Sequence, residues 1–155
     1  MAERNAEGQA LDLRVVRVIR NMSNALFGSL KRDIDSYGLS TETFQILEFL
    51  YNRGPHPIQK ISDTFSIPNG SITYVVDKLE KKGYVERLSI PGDRRKTNVA
   101  LTEEGRSYFH QIFPKHVQTI CDNLSYITDE EKLELIRLLK KLGYGIEHGN
   151  GPDSL

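Results

Sequence analysis

The chain of 155 residues has a single cysteine, Cys121, so an intrachain disulfide is excluded. No charged segment followed by an apolar one opens the sequence to direct secretion, and the reading is a protein of the reducing cytoplasm. Long apolar runs are missing as well. The uninterrupted ones are a few residues each, against the roughly 20 that a membrane-spanning helix needs, so no membrane span is expected. Metal-ligand spacing is absent too: His110 and His116 stand six apart, on different faces of a helix, and no Cys-x-x-Cys or His-x-x-x-His occurs. His56 and His148 fall in expected loop and tail. No nucleophile elbow, phosphate-binding glycine loop or placeable His–Asp pair is present, so neither catalysis nor a cofactor is expected.

Net charge is also missing, because 21 lysines and arginines balance 21 aspartates and glutamates. A zero sum says nothing about clustering. Between residues 59 and 97 the cations Lys60, Lys78, Lys81, Lys82, Arg87, Arg94, Arg95 and Lys96 outnumber Asp63, Asp77, Glu80, Glu86 and Asp93. That segment carries roughly +3 and the remainder roughly −3. Its sharpest concentration is "PGDRRK", a Pro-Gly-Asp turn followed by three cations. As a hairpin tip it is either a solvated turn or a surface for an anionic partner.

Apolar periodicity places these residues on elements. Residues 1–10 lack a pattern and are expected to be disordered. Leu11, Val15, Val18, Ile19, Met22, Leu26, Leu30 and Ile34 then recur at helical steps, predicting one long helix over 11–37 that Gly38 ends. Ser40 is an N-cap for a second helix carrying Phe44, Ile46, Leu47, Phe49 and Leu50, which stops at "NRGPHP". A short helix "IQKISDTF", the break "SIPNGS" and a further helix "SITYVVDKLEKK" follow, closed by Gly83. "YVERLS" and "KTNVAL" alternate as two strands of a short ribbon. Thr102 caps a helix with Tyr108, Phe109, Ile112, Phe113, Val117 and Ile120, which Pro114 is expected to kink. Thr128 and Glu131 form a capping box for a last helix ending near Gly143, and residues 144–155 are expected as a flexible tail.

The fold class is therefore mainly α with a small antiparallel β-wing: a winged helix-turn-helix flanked by N- and C-terminal helices. On the helix "NGSITYVVDKLEKKG", Ile72, Val75, Val76 and Leu79 share one side. Gly70, Tyr74, Asp77 and Lys81 lie opposite, with Ser71, Thr73 and Lys78 on the shoulders. Small, hydroxylated and cationic residues near a helix start suit entry into a DNA major groove, and the free N–H groups there favour a phosphate. An amphipathic helix with merely solvated hydroxyls reads the same way in isolation. The preceding short helix and the basic ribbon behind it favour DNA binding.

"GSITYVVDKLEKKGYVER" followed by "DRRKTNVALTEEGR" resembles the MarR family of bacterial transcriptional regulators, through its recognition helix, Asp-x-Arg wing and Leu-Thr-x-x-Gly. With the flanking helices the likeness extends from about Leu11 to Leu142. It implies one MarR-type domain over 11–143, with a DNA-binding lobe at 40–102 and dimerisation helices at 11–37 and 103–143. It further implies a homodimer on a pseudo-palindromic double-stranded operator, most often as a repressor. The residues carried over to DNA contact are Asn69, Gly70, Ser71, Thr73, Tyr74, Lys78, Arg94, Arg95 and Lys96. Arg95 would enter the minor groove while Asp93 supports the wing. Asp77 is expected to pair with Lys81 or Arg87 instead.

Family members commonly release DNA when a small aromatic or phenolic effector enters a cleft beside the dimer helices. "SYGLSTETFQILEFLYNRGPHPIQ" is similar to the quinone- and hydroquinone-responsive repressors of Gram-positive bacteria. Tyr37, Phe44, Phe109 and Phe113 are the candidate lining, although aromatics at helical spacing are more often core. Cys121, between Ile120 and Leu124, is expected to be a buried small hydrophobe, with a thiol-based redox switch as the alternative. The rival class is a winged-helix module that uses the same surface for protein contacts.

Overall fold

The structure, a computed structural model, describes residues 6–149, and the side chains of all of these except Asn69, Arg94 and Arg95. Helix α1 spans Ala6–Ser36, α2 Thr41–Arg53, α3 Ile58–Phe65, α4 Asn69–Lys81, α5 Glu103–Asn123 and α6 Asp129–His148. Strands β1 (His56–Pro57), β2 (Val85–Ile90) and β3 (Asp93–Leu101) form an antiparallel sheet in the order β1-β3-β2. The expected winged helix-turn-helix with flanking helices is the observed fold.

Helix α2 is the centre of the core because it is apolar on nearly every side: Phe44, Ile46, Leu47, Phe49 and Leu50 are all buried. It starts where expected, with the Ser40 hydroxyl accepting the Thr43 N–H at 3.2 Å. Ile61 of α3, Ile72 and Val76 of α4, Val85 and Val99 of the sheet, and Phe109 of α5 close around it, each fully buried. The turn between α3 and α4 is fastened by buried Ser62. Its hydroxyl donates to the Ile67 carbonyl at 2.6 Å, and its carbonyl accepts the Ile67 N–H at 3.1 Å. Ser66 between them takes the left-handed conformation, with φ 53°.

The wing is longer than "YVERLS" and "KTNVAL" suggest, since only Pro91 and Gly92 form the turn, with Gly92 at φ 89°. Strand β1 is an addition. His56 pairs with Val99 and Pro57 with Asn98, so the loop after α2 hydrogen-bonds to the wing's base.

Two helix boundaries differ from expectation. Helix α1 begins at Ala6 rather than Leu11, and α6 continues past Gly143 to His148. The last turn of α6 is held by Tyr144 and His148, one turn apart with rings stacked at 4.1 Å, ahead of the Gly149 cap. The outer parts of the expected disordered ends, residues 1–5 and 150–155, lie outside the described residues. The chain forms two compact units, one ending at Ile120 within α5 and a second beginning at Cys121. In the second unit the capping box of Thr128 and Glu131 starts α6 as expected, and none of the helix's residues is buried. No described helix is long and apolar enough to cross a membrane.

Candidate nucleic-acid interface and the cleft behind it

Burial divides α4 as its periodicity predicts: Ile72, Val76 and Leu79 face the core, while Gly70, Ser71, Thr73, Tyr74, Asp77 and Lys78 are exposed. One side of the helix is thus a continuous polar surface, with Lys78 Nζ lying 5.0 Å from the centre of the Tyr74 ring. The Asn69 side chain lies outside the described residues; its backbone opens the helix.

Asp77 is paired with Arg87 of β2 at 2.6 Å, and Glu80 bonds the same guanidinium. Two carboxylates one turn apart on α4 thereby grip the base of the wing. Asp77 thus holds α4 and the wing in one geometry, its charge met by a guanidinium.

At the wing's tip the ladder changes register. Ser89 stands opposite Thr97, but the next residue, Ile90, stands opposite Asp93. Residues 94–96, the basic triplet, therefore have no opposite residue in β2 and form a bulge on β3. A bulge re-aims side chains that a regular strand would send alternately to its two faces. The Arg94 and Arg95 side chains lie outside the described residues; Lys96 is exposed, 3.7 Å from Asp93. Asp93 thus closes the turn and meets Lys96.

On the other side of α2 is a cleft of about 480 Å³, lined by Phe27, Leu30 and Ile34 of α1, Phe44 and Glu48 of α2, and His116 and Ile120 of α5, among others. Of the four aromatics expected there, Phe44 is a wall residue, its ring inclined by 54° against that of His116 with centroids 4.5 Å apart. Tyr37 stands behind the wall, its hydroxyl 3.0 Å from both Asp33 oxygens. Phe109 and Phe113 belong to the core: Phe109 is fully buried against Phe44 and Tyr51, and Phe113 packs on Phe109 and Tyr51. Cys121 is exposed rather than buried, because Ile120, one position away on the helix, points in another direction and Leu124 lies past the end of α5 at Asn123.

Glu48 and His116 of the cleft wall, and Asp33 bonded to His116, are residues that sequence reasoning missed. Buried His116 is 2.6 Å from Asp33 through Nδ1, and the Thr119 hydroxyl donates to Asp33 at 2.8 Å. Burial pushes the Asp33 carboxyl up, but the hydrogen bonds from His116, Thr119 and Tyr37 outweigh it and hold the group below its ordinary value. Burial and Asp33 together push the Tyr37 hydroxyl up to about 12. Burial lifts the Glu48 carboxyl as well, against the pull of His116. The overlooked signal is a titratable residue inside an apolar pattern, since His116 falls in step with Phe109, Ile112 and Ile120.

Asp33→Asn is expected to cost about 2 kcal/mol, since an amide cannot accept from three donors and its own N–H₂ faces them. The depressed carboxyl contributes stability that is full above the ordinary carboxylate value and lost as pH falls through the lower folded one. The variant's deficit in urea unfolding should accordingly be large at neutral pH and shrink toward pH 3. Equal deficits at both would refute the ionised-carboxylate account.

A helix-turn-helix with an exposed polar recognition face, joined by ion pairs to a basic wing, is the architecture of a DNA-binding transcriptional regulator. The MarR family sequence model matches residues 39–97. The HTH-type transcriptional regulator MhqR of Bacillus subtilis is 36% identical over 131 residues, covering 84% of this chain and 90% of MhqR. Among solved structures, the MarR family regulator Sco3205 of Streptomyces coelicolor, in complex with DNA, has a TM-score of 0.75 at 23% identity, over 94% of this chain and 91% of that one. BpsR of Bordetella bronchiseptica, whose DNA binding is regulated by 6-hydroxynicotinic acid, has a TM-score of 0.70 at 21% identity, over 83% and 92%. The chain belongs to the MarR family, and it is a DNA-binding transcriptional regulator.

Proposed function

We propose that the protein is a homodimeric repressor that binds a pseudo-palindromic operator and leaves it when a small aromatic or phenolic effector enters the cleft behind α2. The observation that carries this reading is that Gln45 of α2 lines both the cleft and a groove of about 620 Å³ along the start of α4, beside Gly70, Ser71 and Tyr74. A ligand in the cleft thus presses on the helix that seats the recognition helix, which supports coupling between effector and DNA. BpsR, regulated by a hydroxylated aromatic acid, supports a ligand-responsive reading. Asn69, Gly70, Ser71, Thr73, Tyr74 and Lys78 are proposed for the major groove, and Arg94, Arg95 and Lys96 for the wing contact, with Arg95 in the minor groove. The apolar residues that α1 and α6 leave exposed are proposed to be covered by a second copy of the chain.

Selection of genomic fragments by the purified protein would supply the operator. On it, Arg95→Ala is expected to weaken binding by about tenfold or more and to lower the salt dependence by about one counterion, measured by fluorescence anisotropy across a salt series. Unchanged affinity and slope would favour the winged-helix protein-interaction module instead.

A further inference from the structure

We propose that the cleft selects an uncharged phenolic hydroxyl and rejects aromatic carboxylates, His116 accepting the hydroxyl's hydrogen bond and Glu48 supplying the rejection. The proposal rests on the reading of this cleft as the effector site and deepens it by assigning the residues that set specificity.

The acceptor follows from the hydrogen-bond arrangement. Asp33 takes donors from Thr119, Tyr37 and His116 Nδ1, so the imidazole carries a proton on Nδ1, and Nε2 is the ring atom left to accept. Among the described residues, Nε2 has no recorded partner, and His116 is part of the cleft wall. A phenol donates one hydrogen bond from the edge of an apolar ring. Phe27, Leu30, Ile34, Phe44 and Ile120 provide the apolar walls for that ring.

The rejection follows from charge. Glu48 is half-buried in the wall, Asp33 stands behind His116, and the one lysine of the lining, Lys31, is already paired with Asp35 at 2.7 Å. A carboxylate in the cleft would face Glu48 without a free cation among the described lining residues. Like charges in a partly desolvated site repel far more than in water, whereas a neutral hydroxyl meets only acceptors.

The test uses a matched pair of probes, 4-methylphenol and 4-methylbenzoate, titrated calorimetrically into the full-length protein at neutral pH without DNA. The phenol is expected to bind at least about tenfold more tightly than the benzoate. Glu48→Gln should close that gap, mainly by strengthening benzoate binding, and should fold at least as well as the parent, since it removes a carboxyl that burial disfavours. His116→Phe, which fills the site but has no acceptor, should abolish the phenol's advantage while keeping the apolar contacts. Equal affinities in the parent, an unchanged ratio in Glu48→Gln, or no binding of either probe would overturn the proposal. Operator binding by the ligand-free protein is measured alongside. Selectivity without an operator would sink the regulator reading alone, and an operator without selectivity would sink this proposal alone.

Discussion

Gly105→Ala is expected to destabilise the protein by about 3 kcal/mol or more, beyond the usual cost of overpacking, and to lower its midpoint of thermal unfolding by about 10 °C. A methyl group on Gly105 would lie 1.9 Å from the Tyr84 carbonyl oxygen, 2.7 Å from its carbon and 2.9 Å from its Cα. These are backbone atoms, so no rotamer change relieves the clash. Nor is the backbone free to yield, because the Tyr84 carbonyl accepts the Thr102 N–H at 3.1 Å and the Gly105 N–H donates to the Thr102 hydroxyl at 3.0 Å. The same hydroxyl donates to the Gly83 carbonyl at 2.6 Å. One knot therefore ties the end of α4, the start of β2 and the first turn of α5. Loosening it should also displace the wing, so operator affinity should fall with stability. Melts at matched protein concentration would test this, because association shifts the midpoint. A variant within 1 kcal/mol of the parent would show that the knot can open.

That knot also marks how far the sequence could be read. Thr102 is recognisable as an N-cap and Gly105 as part of a motif, but the carbonyl that excludes a side chain at Gly105 lies on another element. Local periods, by contrast, carried through: the buried sides of α2 and α4 follow from three- and four-residue spacing, and Ser40, Thr128 and Glu131 cap where their side chains predict. The two-residue strand β1 has no alternation to detect and includes a proline. The bulge at 94–96 depends on pairing with Ser89 and Ile90, so the three cations read only as a row. Asp33 and His116 are 83 positions apart and declare themselves only when α1 and α5 meet. The fold and the exposed polar side of α4 were legible because they are local, while the cleft's chemistry is tertiary.

Replacing Leu139 and Leu142 together by lysine is expected to convert a dimer into monomers and to lower operator affinity by about a hundredfold or more, since two half-sites would no longer be held by linked modules. Helix α6 repeats apolar residues at Leu135, Leu138, Leu139 and Leu142, yet each remains 39–48% exposed and no residue of the helix is buried. An amphipathic helix without a packed face lacks the burial from which most helical stability in proteins derives. The first half of α1 has the same character, with Leu11, Val15, Val18 and Met22 all exposed. A second copy of the chain would remove both surfaces from water, and a lysine ammonium at each of two central positions would face desolvation without a partner. Light scattering should place the parent at twice the chain mass and the double variant at the chain mass. Circular dichroism would show how far α6 frays without its cover. If the parent runs at the chain mass while still binding a full operator, or if the double variant stays dimeric, the second copy is not what covers α6, and the two-fold symmetry proposed for the operator loses its physical basis.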